Sequence, residues 1–157
     1  MRSVFLIVFF VALGAFAQEP ADKDAGFAQL SQYYFAAARI GDTDVLREFS
    51  RAGFPLDLKN AKGYTALMIA TYNGNGPAVD YLLARGADAC VKDRRGNTAL
   101  MAAIFRGEFA IARTLLKQDC DTAQANKAGH SAEDFARVFG RERVAQLLEQ
   151  RRMTPEG

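Results

Sequence analysis

The stretch GYTALMIATYNG, Gly63 to Gly74, is written again as GNTALMAAIFRG, Gly96 to Gly107, 33 residues later. Both copies have glycine at each end and Thr-Ala-Leu-Met inside the opening glycine. The same step extends outward. Gly63 and Gly96 are followed by Gly129, Thr65 and Thr98 by Ser131, Ala66 and Ala99 by Ala132, and Ala70 and Ala103 by Ala136. Gly41, Gly74, Gly107 and Gly140 form another series. Leu82-Leu83 returns as Leu115-Leu116 and continues to Leu148, and Asp88 returns as Asp121. The recurring residues are small or apolar, so what repeats is a unit of packing.

Each recurring residue has a local physical task. A glycine just before Thr or Ser supplies the positive φ of a tight turn. Thr65, Thr98 and Ser131 are placed to cap the next helix by accepting from an unpaired N–H. The helices that follow carry Leu67, Ala70 and Thr71, then Leu100, Ala103 and Ile104, on one face. Gly74 and Gly107 stand where a left-handed residue ends a helix. A second helix follows each stop: PAVDYLLARG with Pro77 in its first turn and Val79, Leu82 and Leu83 in its stripe, then EFAIARTLLKQ with Phe109, Ala112, Leu115 and Leu116. All four leucines of the two pairs are expected to be buried between units. The polar stretches GADACVKDRRG and DCDTAQANKAG connect one helix pair to the next.

This unit resembles the ankyrin repeat. Gly-x-Thr-Ala-Leu stands where that family usually has Gly-x-Thr-Pro-Leu, and Gly86-Ala87-Asp88 matches its Gly-Ala-Asp turn. The resemblance implies an all-α ankyrin-repeat solenoid of about four 33-residue helix-turn-helix units with hairpin-like connecting loops. The repeats fall at about 30–62, 63–95, 96–128 and 129–152 of a domain spanning 29–152, the first and last units acting as caps. The family's Pro is replaced by Ala66, Ala99 and Ala132, and its His by Met68, Met101 and Asp134. The Thr–His hydrogen bonds that usually stiffen the turn are therefore expected to be lost. One repeat cannot bury its own apolar face, so stacking must supply the core.

Ahead of the repeats, MRSVFLIVFFVALGAFA has one Arg, an uncharged apolar run and the small-x-small pattern Ala15-Phe16-Ala17. This reads as a signal peptide over 1–17. A membrane span needs about 20 apolar residues, and Gln18, Glu19 and Pro20 end the run sooner. Residues 18–28 are expected to be a flexible lead-in and 153–157 a fraying tail. The mature chain is expected to be periplasmic, or alternatively secreted, and monomeric, with no membrane anchor. Without Arg2 it holds 19 basic and 18 acidic residues, a net charge of +1. Near neutrality gives no global signal for nucleic acid or membrane surfaces.

The chemistry-bearing residues do not assemble a catalyst. His130 is the only histidine, so a His-based metal cluster cannot form, and its neighbour Ser131 cannot be addressed by it as in a triad. Gly74-x-Gly76 runs into Pro77 without the Lys of a phosphate loop. No enzyme, no cofactor and no metal are expected. Cys90 and Cys120 occupy different places in their units, Cys120 matching Ala87. With stacked helices about 8–10 Å apart and a bridge needing Cα atoms within about 7 Å, both are expected to stay unpaired within the chain.

In the family, the loop tips and the exposed side of the first helix line a concave face to which partners bind. Those places fall here on Lys62, Tyr64, Tyr72, Asn73, Arg94, Arg95, Asn97, Phe105, Arg106, Lys127, His130, Val138 and Phe139. Aromatic rings beside arginine are the composition of binding hot spots. The expectation is a non-enzymatic adaptor that holds an acidic protein surface. An inhibitor of an exported enzyme, or a binder of an anionic envelope ligand through Arg94, Arg95 and Arg106, are the alternatives.

Overall fold

The computed structural model describes residues 23–154. The expected signal peptide, residues 18–22 of the lead-in and residues 155–157 of the tail lie outside them. Among the described residues eight helices follow in order: α1 (Lys23–Ile40), α2 (Thr43–Arg51), α3 (Ala66–Tyr72), α4 (Gly76–Ala84), α5 (Ala99–Arg106), α6 (Phe109–Leu115), α7 (Ala132–Val138) and α8 (Glu142–Met153). There is no strand among the described residues. Each odd-numbered helix pairs with the even one after it. The odd helices then pack in one row, α1 on α3 on α5 on α7, and the even ones in a second.

The capping chemistry operates as the sequence implies. The hydroxyls of Thr65 and Thr98 accept from the N–H groups of Met68 and Met101, both at 3.3 Å. At α7 the replacement of the family's His does different work. Asp134 donates its backbone N–H to the Ser131 hydroxyl, and its own carboxylate accepts from the Ser131 N–H at 2.8 Å and hydroxyl at 2.7 Å. This reciprocal box, led by the backbone bond, holds the Asp134 carboxyl below its usual range.

Packing explains why the first helices are so apolar. Every residue from Ala66 to Thr71 is buried, because α3 lies between α1 and α5 and also against α4. Alanines at 66, 70, 99, 103, 132 and 136 are all buried, where a larger side chain would hold the helices apart. Among the expected leucines, Leu82 and Leu115 are buried, whereas Leu83 and Leu116 are only partly so. Successive helix residues point about 100° apart, so only the first of each pair can face the seam squarely.

Thr71 is the exception within this core. Its side chain is fully buried, and its hydroxyl has no hydrogen-bond partner among the described residues. An unsatisfied buried hydroxyl costs about 1–3 kcal/mol, and valine has nearly the same shape. Thr71→Val is expected to stabilise the fold by about 1 kcal/mol in urea melts. A loss of stability would mean that the hydroxyl finds a partner.

The first unit corrects the expected boundary. α1 begins at Lys23, inside the stretch 18–28 expected to be flexible, and its added turns are held by an aromatic cluster. Phe27 stacks on Phe54 at 5.3 Å between ring centroids, and Tyr34 meets Phe49 at 5.3 Å and Phe54 at 5.0 Å. The Tyr34 hydroxyl donates to the Leu56 carbonyl at 3.0 Å. Burial, helped by the charge of Asp57, pushes its phenol above the usual range, so it remains a donor.

The second correction concerns the cysteines. Cys90 and Cys120 form a disulfide with their Cα atoms 5.4 Å apart. The places these residues hold in successive units were expected to separate them. Instead the connection after each even helix runs toward the next unit, so its later residues approach the earlier residues of the following connection. One repeat before, at the place equivalent to Cys90, the Asp57 carboxylate accepts from the N–H of Asp88 at 2.9 Å. The offset along the chain closes the gap between units.

Candidate partner-binding face

The loop tips are built by residues that the sequence reading passed over. Asn60, Asp93 and Asn126 also stand 33 residues apart. The Asn60 side-chain oxygen accepts from the N–H groups of Lys62 and Tyr64, that of Asp93 from Arg95 and Asn97, and that of Asn126 from Ala128 and His130. Each tip is thus closed by one side chain that satisfies two backbone donors. Asp93, the one acid in the series, is a structural residue of its turn. Extending the 33-residue comparison to polar positions would have found the series.

The tips are also joined to one another. The Arg94 N–H donates to the Lys62 carbonyl at 3.4 Å, and the Lys127 N–H to that of Arg95 at 2.9 Å. Gly63, at φ 81°, sits under this contact, and a Cβ there would lie 2.7 Å from the Arg94 nitrogen. The Asn97 side-chain oxygen accepts from the Asn126 amide at 2.7 Å. Asn97 is therefore engaged between tips, while the side chains of Lys62, Arg94, Arg95, Lys127 and His130 are exposed and Tyr64 is half-buried.

A line of rings runs along the C-terminal ends of the odd helices. Tyr72 and Phe105 stack at 6.2 Å, and Phe105 meets Phe139 edge-on at 5.0 Å. Phe139 touches Phe135, which in turn meets His130, so the line reaches the third tip. Tyr72, Phe105 and Phe139 remain 47%, 42% and 38% exposed. The Arg106 guanidinium lies 4.9 Å from the Tyr72 ring centroid, and its Nε donates to the Tyr72 carbonyl at 3.1 Å. The neighbouring Asn73 donates to the Ile69 carbonyl. The face thus combines rings that contact one another with cations that form no ion pair among the described residues. Those pairs lie instead on α2, α7 and α8, as in Arg47–Asp44 and Arg137–Glu133.

The rings are placed by the ends of the odd helices, and side chains from the following unit secure those ends. The Asn75 amide donates to the carbonyls of Ala38 and Arg39, and Arg141 donates to those of Ile104 and Phe105. Neither of two cavities, of about 20 and 340 Å³, is lined by Arg94, Arg95 or Arg106. No group of His, Cys, Asp and Glu suited to a metal ion occurs among the described residues.

A comparison with curated proteins found no match. A family model described as ankyrin repeats in three copies matches residues 34–126, more than half of the chain. Beyond that span, α7 and α8 repeat the same capped helix pair. Ankyrin repeats are generally protein–protein interaction modules and typically carry no catalytic activity. With its helix pairs, tip turns and seam contacts recurring at one step of 33 residues, this chain belongs to the ankyrin-repeat family.

Proposed function

We propose that the protein is an exported, non-enzymatic adaptor that binds an acidic protein surface through the face formed by its tips and aromatic line. The observation that carries this reading is the contact sequence Tyr72–Phe105–Phe139, half exposed, with the Arg106 guanidinium on the Tyr72 ring and in no ion pair among the described residues. Exposed rings already in contact lose little freedom on binding, which favours hot-spot behaviour. The signal-like segment 1–17 supports export. So does the Cys90–Cys120 bridge, since such bonds persist in oxidising compartments. A periplasmic setting fits best.

The test uses tagged protein recovered from the periplasmic fraction, expected to start at Gln18. A partner captured by it is expected to bind Arg94→Glu with Arg95→Glu more slowly and with a flatter salt dependence, because steering acts within about 8–10 Å at physiological ionic strength. This pair is cleaner than Arg106, which is tied to Tyr72. Phe105→Ala is expected to speed release by about thirtyfold, equivalent to about 2 kcal/mol. Arg113→Glu, an exposed change on α6, serves as the control. If it weakens binding as much as the tip changes, another face carries the function.

A further inference from the structure

The aromatic line is the middle of a longer feature. Each unit has a large exposed apolar residue within two positions of the glycine in the series Gly41, Gly74, Gly107 and Gly140: Ile40 directly before its glycine, Tyr72 and Phe105 two before theirs, and Val138 and Phe139 at both places. Ile40 is 73% exposed and Val138 70%, so both terminal units also carry exposed apolar side chains at this end of their odd helices. Both lie at the ends of odd helices, Ile40 closing α1 and Val138 closing α7. Nothing in the packing of the core requires them to be apolar.

We infer that this face receives an acidic amphipathic α-helix lying along the stack across all four units, an inference that rests on the adaptor reading above. Three steps of about 8–10 Å between packed helices make the line about 25–30 Å long. At 1.5 Å per residue that is a helix of about 17–20 residues, and at about 3.3 Å per residue a strand of about 8–9. Hydrogen bonding decides between them. A strand laid on the rings must find partners for its backbone N–H and C=O groups. The tips offer few donors, because the N–H groups of Lys62, Tyr64, Arg95, Asn97, Ala128 and His130 are held by the Asx side chains, and those of Arg94 and Lys127 by neighbouring tips. A helix brings its backbone already satisfied and asks only for side-chain contacts. Its apolar stripe meets the line from Ile40 to Val138, and its acids meet Arg94, Arg95 and Lys127.

The probe is a 20-residue synthetic peptide of about that length, with leucine at helical spacing and glutamate on the flanks. Two controls accompany it: a scrambled peptide of the same composition, and a nine-residue peptide alternating leucine and glutamate. Against isotopically labelled mature protein, the helical peptide is expected to shift the amide signals of Ile40, Phe105 and Val138 together. It should bind at least about tenfold more tightly than either control, a difference of about 1.4 kcal/mol. Ile40→Ser and Val138→Ser, both at exposed sites, are each expected to weaken it severalfold. Equal or tighter binding of the alternating peptide at the same face would overturn the helical occupant and leave the adaptor reading standing. Shifts confined to Tyr72 and Phe105 would overturn the four-unit span. If none of the peptides binds, the inference fails, while the captured partner still judges the adaptor reading. Shifts confined to the even helices would count against both.

Discussion

Leu115→Ala is expected to destabilise the protein by about 2–5 kcal/mol, read as a lowered urea midpoint. Leu115 is the last residue of α6 and is buried. It borders a cavity of about 20 Å³ together with Leu100 and Met101 of α5, Thr122 of the next connection and Ala132 of α7. The side chain thus stands where the third and fourth units meet. Truncation removes apolar contact from the seam and enlarges a void that the neighbouring backbone cannot close, since the helices are already spaced by alanine. In a stacked repeat, stability is carried largely by such interfaces, so the loss should uncouple the last helix pair from the rest. A broadened or two-step transition would be its signature. Leu116→Ala, at a half-buried site, is expected to cost clearly less. A cost below about 0.5 kcal/mol for Leu115→Ala would mean that this seam does not hold the stack, against the range for buried leucine.

Reduction of the Cys90–Cys120 bridge is expected to cost about 3–4 kcal/mol, the chain-entropy value for a loop of this size. The bridge closes a segment with a sequence separation of 30 that contains the tip turned by Asp93, together with α5 and α6. Most of the effect arises in the unfolded chain, which gains freedom when the link is cut. The folded units keep their seam contacts, so helical content in buffer should hold while the melting temperature falls by on the order of 10 °C. Cys90→Ser with Cys120→Ser should reproduce the shift without reductant. Thiol titration of unfolded protein purified without reductant is expected to count none. A count of two in a monomeric sample, or a midpoint that does not move on reduction, would remove the bridge from the account.

The repeat architecture was legible because the residues that define it act locally. A glycine at positive φ, a hydroxyl three residues before the N–H it caps, and an alanine where helices touch each demand a residue type whatever lies further away. Those demands recur every 33 residues as Gly63, Thr65 and Ala70 and their successors. The tip residues Asn60, Asp93 and Asn126 obey the same rule and were just as legible, although one substitutes Asp for Asn. The sequence alone therefore determined the all-helical repeat, its period and the side of each unit on which the rings appear.

Tertiary structure decided whatever depends on one unit's reach toward the next. The pairing of Cys90 with Cys120 follows from the direction in which the connections lean, and no residue within a unit encodes that direction by itself. The division of labour between Leu115 and Leu116 depends on which of two neighbouring directions meets the adjacent helix pair. The early start of α1 depends on Phe54, more than 20 residues away, offering a ring to Phe27. Capping and turn propensities are short-range energies written at each residue, whereas these outcomes come from surfaces that exist only once two units are stacked.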